Sequence, residues 1–171
     1  YAIDKSRWSN RAYGPLASTS WAHNSEVKPY DLDLARAKQL LAKVGKKPDK
    51  IILTTLSVYL PTAEAVKADW QALGVPTEVQ VVPEVPTEFT ALIIGQKIPV
   101  DPDQYSLWHS TQETNLTHFN HPRADKLLED GRKTLDPSQR RDIYLEFQKF
   151  ISEELPVIFL YHPTTYFISR M

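Results

Sequence analysis

The chain contains no cysteine. That excludes disulfides, thiolate catalysis and cysteine-built zinc sites. It is compatible with an exported bacterial protein. Glycine is scarce, with 5 residues against 13 prolines. No glycine-rich phosphate loop is present, so a nucleotide-binding fingerprint is missing. The prolines predict rigid, extended connections. Neither charge sign is in excess: the formal net charge is −1, with no block of like charges. A nucleic-acid or membrane-surface protein shows a basic patch, and none is visible. The apolar runs fall far short of the ~20 residues a bilayer-spanning helix needs. No signal peptide is evident; the chain opens at Tyr1 without a Met, which predicts that an upstream part has been removed.

What remains is ordinary for a soluble globular protein: 42% hydrophobic and 24% charged residues over 171 positions. That length suffices for one domain with a real core, and residues 1–171 are read as a single domain. YAIDKSRW reads as the end of a helix, and residues 9–32 as a long loop pinned by Trp21 and Tyr30, with ligand contact as their alternative role. Asp33 suits an N-cap for a helix through Val44, with Leu34, Ala37, Leu41 and Val44 on one face and Gly45 ending it. Ile51–Leu56 is short and β-branched, the pattern of a strand covered on both faces. A helix over Thr62–Leu73, a strand over Thr77–Val82 and a short helix over Glu88–Gly95 follow. Strand, helix, strand, helix with short links predicts a βαβ unit and a parallel sheet.

Further on, the spacing predicts a helix over Pro122–Thr134 with Ala124, Leu127 and Leu128 inward. Asp136-Pro137 restarts the chain as N-cap and N1 of a helix to Glu154, with Ile143, Phe147, Phe150 and Ile151 on one stripe. Pro156 stops it. Val157–Tyr161 and Thr165–Ser169 read as strands.

The stretch Asp101–Gln112, DPDQYSLWHSTQ, concentrates the chemistry. A buried polar group without a partner costs about 1–3 kcal/mol, so a segment that only filled a core would not carry so many. Aromatic bodies with polar tips are what ligand pockets use. Tyr105 and Trp108 are the favoured ligand contacts, with His109, Asp101 and Asp103 beside them. Tyr59, in the loop after the first strand with Ser57 and Val58, is a further candidate, because ligands bind outside the carboxyl ends of parallel strands. Tyr161 and His162 point at the same edge or are ordinary strand-end residues. The competing reading is a wet loop leading into a short helix, with Trp108 in the core. Asp101 and Asp103 are a carboxylate pair, but residues i and i+2 diverge; capping by Asp103 is the alternative, and cation binding by Asp101 another. His118 and His121, at i and i+3, have metal-ligand spacing without a supporting motif; hydrogen-bonded surface histidines are the alternative. No catalytic residue, metal ligand or cofactor is assigned.

Taken in order, YAIDK, GPL followed by SWAHN, KPYDLDLARAKQLL, KADWQALGV, DPDQY and ELPVIFLYHP resemble the carboxyl-terminal half of family 5 extracellular solute-binding proteins of ABC importers, the oligopeptide- and dipeptide-binding group. The resemblance covers essentially the whole chain. It implies an α/β fold: the second lobe of a periplasmic-binding-protein-like molecule, with a mixed, mainly parallel sheet flanked by helices. It implies a peptide or other small solute as ligand, a membrane permease and the protein's own amino-terminal lobe as partners, no nucleic acid, and binding without chemistry. It also implies an extracellular or periplasmic location, with a lipoprotein anchor as one form.

Two departures stand out. Many peptide binders of the family carry a Trp-Gly-x-Asp-Tyr run before the DPD, whose Asp pairs with the ligand's amino terminus. Here Ile98 stands where that Asp would fall and Gly95 where the Trp would, leaving Asp101 or Asp103 as substitutes. The stretch between YAIDK and GPL is also shorter than the family pattern. Sugars and nickel complexes therefore stay open as ligands. A bacterial origin would make the glycosylation-acceptor match Asn115-Leu116-Thr117 a coincidence. The alternatives from other classes are a hydrolase using Asp101, Asp103 or His109, and a protein-interaction domain with a flat apolar face.

Overall fold

A computed structural model describes residues 9–44, 49–163 and 169. The expected amino-terminal helix end, the Gly45 cap and, save for Ser169, the last expected strand lie outside the described residues. The described residues fall into two compact units, one over residues 31–96 and one over residues 9–30 with 97–163.

In the first unit, helix α1 (Leu34–Lys43) starts where Asp33 accepts a hydrogen bond from the Arg36 amide at 2.8 Å. Strand β2 (Ile51–Leu56) is central in a three-stranded parallel sheet, between β3 (Thr77–Val82) and β4 (Ala91–Ile93). Leu53, Thr54 and Thr55 at its middle are buried, as a strand covered on both faces requires. Helix α2 (Leu60–Ala72) returns the chain to β3 (Thr77–Val82), which runs beside β2 from Ile51↔Thr77 to Leu56↔Val82. Ala63, Val66 and Trp70 of α2 pack with Leu53 and Ile93. Such a β-α-β crossover buries one stripe of the helix against the sheet.

The helix expected over Glu88–Gly95 is not formed: Ala91–Ile93 is strand β4, paired with Leu53–Thr55. Eight residues make a marginal helix in isolation. An Ala-Leu-Ile-Ile run beside an unpaired edge of β2 gains a ladder of hydrogen bonds instead, and the Thr55 hydroxyl adds one to the Ile93 carbonyl at 3.1 Å.

The second unit is mainly helical. A one-turn helix α3 (Tyr105–Trp108) packs on α4 (Pro122–Lys133), which forms an antiparallel pair with α5 (Pro137–Glu154). Asp136 caps α5 by accepting from the Gln139 amide at 2.8 Å, with Pro137 at its start. Ala124, Leu127 and Leu128 of α4 and Phe147, Phe150 and Ile151 of α5 form the core with Trp108, and Ile143 packs against it. Leu155 ends α5 in the left-handed region (φ 51°), before Pro156.

The strand expected at Val157–Tyr161 forms later, as β5 (Tyr161–Pro163), antiparallel to β1 (Ser9–Arg11). Residues 9–32 are thus a loop only after Arg11. Proline cannot donate to a ladder, so Pro163 is tolerated on this two-stranded ribbon. The rest of the loop is held by a cluster of Leu16, Ala22 and Tyr144, and by Gln148. The Gln148 amide accepts from the Asn24 backbone at 3.2 Å and donates to the Ala22 carbonyl at 2.7 Å. Tyr30 assists through its hydroxyl, which donates to the Ser152 carbonyl at 3.1 Å, while the expected anchor Trp21 is 43% exposed.

Candidate functional site

The DPD triplet shapes its own backbone. Asp101 accepts from the Asp103 amide and Asp103 from the Tyr105 amide, each at 2.9 Å. These are two successive aspartate turns, with Pro102 buried between them. Asp103 thus feeds the helix from one residue before its cap position, Gln104.

Both carboxylates are then taken by arginines that lie far along the chain. Arg140 of α5 meets Asp101 in a two-pronged pair, and Arg132 of α4 donates its Nε to Asp103 at 2.8 Å. Arg140 also donates to the Gly131 carbonyl at 2.8 Å and the Tyr144 hydroxyl at 3.3 Å. The Arg140 hydrogen bonds hold the Asp101 carboxyl below its usual range, against a smaller opposing effect of burial. Asp101 is therefore an anion committed to a cation, unsuited to general-acid work near neutral pH.

Trp108 is 7% exposed and belongs to the core, its indole N–H donating to Gln104 Oε1 at 3.3 Å. Tyr105 is half-buried. Its ring is stacked with His109 (centroids 4.1 Å apart, planes 22° apart), and the Arg132 guanidinium lies 4.0 Å from its centroid. His109 is 5% exposed. Its Nδ1 accepts from the Thr111 amide at 3.3 Å and lies 2.9 Å from the Thr111 hydroxyl. The Ser110 hydroxyl donates to Asp125 at 2.6 Å, so it is not directed at His109. Around His109 stand Thr111, Asp125 at 4.0 Å and Glu129 at 3.6 Å; Asp101 and Asp103 are spent on arginines. The nucleophile–base convergence that a hydrolase requires is not what this geometry provides.

Tyr105, Glu129, Arg132 and Lys133 line an open pocket of about 340 Å³. Its wall is charged, unlike the flat apolar face of an interaction domain. Glu129 bonds to Lys133 at 3.0 Å, which holds its carboxyl below the usual range.

Tyr59 belongs to the first unit. It follows the carboxyl end of β2, in a single 3-10 turn (Ser57–Tyr59), and packs on the Leu53, Ala63 and Ile93 cluster. Its ring crosses Gly95: a Cβ there would lie 1.9 Å from the tyrosine oxygen. The glycine is what admits the ring.

The remaining candidates have structural duties. His121 caps α4 by accepting from the Arg123 amide at 3.1 Å, so it is not paired with His118 on a metal. Among the described residues no group of three metal-ligating side chains converges. Asn115, the acceptor position of the glycosylation match, is 3% exposed and bonds to the Trp108 and Phe119 carbonyls at 3.3 and 2.9 Å. His162 on β5 has its pKa pushed down, mainly by burial and then by His23. Ile98, at the position of the family's amine anchor, packs against Leu16, Ala22 and Tyr144.

Sequence reasoning missed Glu129, Arg132, Lys133 and Arg140. Asp103 and Arg132 are 29 residues apart, Asp101 and Arg140 39 apart, and no local pattern links them.

No protein-family model matches the chain. The oligopeptide-binding protein AppA of Bacillus subtilis is 26% identical over 185 residues, covering 91% of this chain and 34% of AppA. Heme-binding protein A of Haemophilus influenzae is 28% identical over 190 residues, covering 95% of this chain and 35% of that protein. The structure of B. subtilis AppA in complex with a nonapeptide matches with a TM-score of 0.81 at 25% identity, over 91% of this chain and 37% of AppA. The chain spans about a third of the length of the curated relatives it matches. In sequence and in fold, the relatives of this chain are family 5 solute-binding proteins.

Proposed function

We propose that the chain is the second lobe of a solute-binding component of an ABC importer, with a peptide or another small solute as cargo. The observation that carries this reading is the match to the AppA–nonapeptide structure over 91% of the chain at a TM-score of 0.81. In the intact protein the two lobes close on the solute. Closure is driven by tighter binding to the closed state, and the closed form is what a membrane permease recognises. No bond is made or broken. The reading implies a location outside the cytoplasm, in the periplasm or at the cell surface, with a lipoprotein anchor as one form of attachment.

In the second unit the proposed ligand contacts are Tyr105 and His109; Tyr59, after β2 in the first unit, is proposed separately. Asp101 and Asp103 support the segment through Arg140 and Arg132. Trp108 keeps the segment packed from beneath. Ile98 offers no charge to a peptide ammonium, so a peptide ligand is held by other groups.

The test is thermal shift of the full-length protein against a peptide library, with sugars and nickel–histidine complexes as further arms. A ligand at 100 times its Kd stabilises the native state by about 2.7 kcal/mol. A shift with peptides that is reduced in Tyr105→Ala supports a peptide carrier with its site on this lobe. A shift with another solute alone replaces the cargo. No shift with any solute overturns the carrier reading.

A further inference from the structure

Behind the Tyr105 and Glu129 side of the pocket of about 340 Å³ lies a polar group with an unmet need. Among the described residues, two buried side-chain nitrogens have no hydrogen-bond partner: His109 Nε2 and Gln104 Nε2. The state of the His109 ring follows from its other nitrogen. Nδ1 accepts from the Thr111 amide. A neutral imidazole has one donor and one acceptor, so the ring proton sits on Nε2. That N–H is a buried donor 3.6 Å from Oε1 of Glu129, and Glu129 lines the pocket. This is too far for a hydrogen bond.

Beside Glu129 the pocket wall carries two cations. Lys133 and Arg132 both line it. Arg132 is paired with Asp103 and its guanidinium carbon lies 4.0 Å from the Tyr105 ring centroid, so its charge is held in place. Lys133 is 70% exposed and bonds only lightly, through a surface pair with Glu129 at 3.0 Å. Such exposed pairs are worth little and exchange readily. Glu129 is itself 41% exposed, so its carboxylate already borders water.

An N–H donor, a fixed guanidinium and an ammonium around one pocket are the groups that receive an oxyanion. Glu129 presents a carboxylate to two of them already, at a distance that fails to satisfy the imidazole. We propose that this pocket is a binding site for a small oxyanion, a carboxylate or a phosphate, and that Glu129 is its internal competitor. An incoming oxyanion displaces the Glu129 carboxylate, pairs with Lys133 and Arg132, and accepts from His109 Nε2. The site stands on its own side chains and does not depend on which solute the protein carries.

Isothermal titration of the full-length protein with malonate and with inorganic phosphate tests this, against chloride at matched ionic strength. The expected result is saturable binding of at least one of the two that tightens about fivefold in Glu129→Gln, the worth of about one exposed ion pair. In that background Lys133→Gln weakens binding by about the same factor. Preference for malonate assigns a carboxylate, and preference for phosphate a phosphate. Equal affinity in wild type and Glu129→Gln overturns the competitor role. No saturable binding in either protein, or binding untouched by Lys133→Gln, overturns the site. Lys133 and Glu129 lie on the exposed face of α4, so both variants are expected to fold, which a urea unfolding curve checks.

Discussion

Asp101 and Arg140 form a two-pronged ion pair, Nη1 to Oδ2 and Nη2 to Oδ1 both at 2.7 Å. It fastens the start of the DPDQY segment to helix α5 within the second unit. Arg140 reaches the Tyr144 hydroxyl and the Gly131 carbonyl at the same time. One guanidinium therefore joins the DPD turn, α4 and α5.

This pair gives stability a pH dependence. The Asp101 pKa is lowered in the folded state, chiefly by its hydrogen bonds to Arg140. A carboxyl with a depressed folded value stabilises the protein above its unfolded value, about pH 4, and the contribution is lost as pH falls through the folded value. Asp101→Asn keeps the oxygen that accepts from the Asp103 amide and removes the charge. It is expected to cost about 1 kcal/mol at pH 7, and nothing measurable below about pH 2. Urea unfolding at the two pH values checks this; an equal cost at both would show that the charge is not what matters.

Gly131→Ala is expected to destabilise the protein although alanine is the better helix former. Alanine gains about 1 kcal/mol over glycine in a helix interior. At Gly131 the added Cβ would lie 2.8 Å from Tyr144 Cζ and 2.9 Å from its oxygen. Tyr144 is fully buried and bonded to Arg140, so it cannot swing aside. Overpacking of this kind costs about 1–3 kcal/mol, and the net change is a loss. A rise in Tm for Gly131→Ala would contradict the packing.

Trp108 and Tyr105 separate stability from binding. Trp108→Ala removes a core side chain packed among Leu127, Leu128, Phe147 and Phe150. The expected cost is about 3–5 kcal/mol. Tyr105→Ala strips a half-buried ring from a surface stack and is expected to cost about 1–2 kcal/mol. Ligand loss in a Trp108 variant is therefore no sign of contact with the ligand. Chemical denaturation of both variants, before any binding assay, is the check.

Gln148→Ala is expected to loosen the loop that carries Ala22 and Asn24. The Gln148 side chain is fully buried and bonds to the Ala22 and Tyr144 carbonyls and the Asn24 amide. Its removal leaves the Ala22 carbonyl and the Asn24 amide unpaired, at a cost of about 1–3 kcal/mol. Amide hydrogen exchange would show faster exchange at Asn24; an unchanged rate would refute the tie.

Local pattern carried much of this molecule. The apolar stripes of α4 and α5, the Asp33 and Asp136 caps, and the β-branched run of β2 all follow from spacing and side-chain type, because each acts within a few residues. β4 escaped because pairing with the edge of β2 outweighs the weak helical preference of eight residues. Trp108 was placed among the ligand contacts because sequence shows its chemistry and not its neighbours. The charged pocket was not legible at all. Its Arg132 lies 29 residues from the carboxylate it holds, as Arg140 nearby lies 39 from its own, and only the packing of α3 on α4 and of α4 on α5 brings such partners together. Periodicity reports which face of an element is buried; which side chains from distant elements meet is decided by tertiary packing alone.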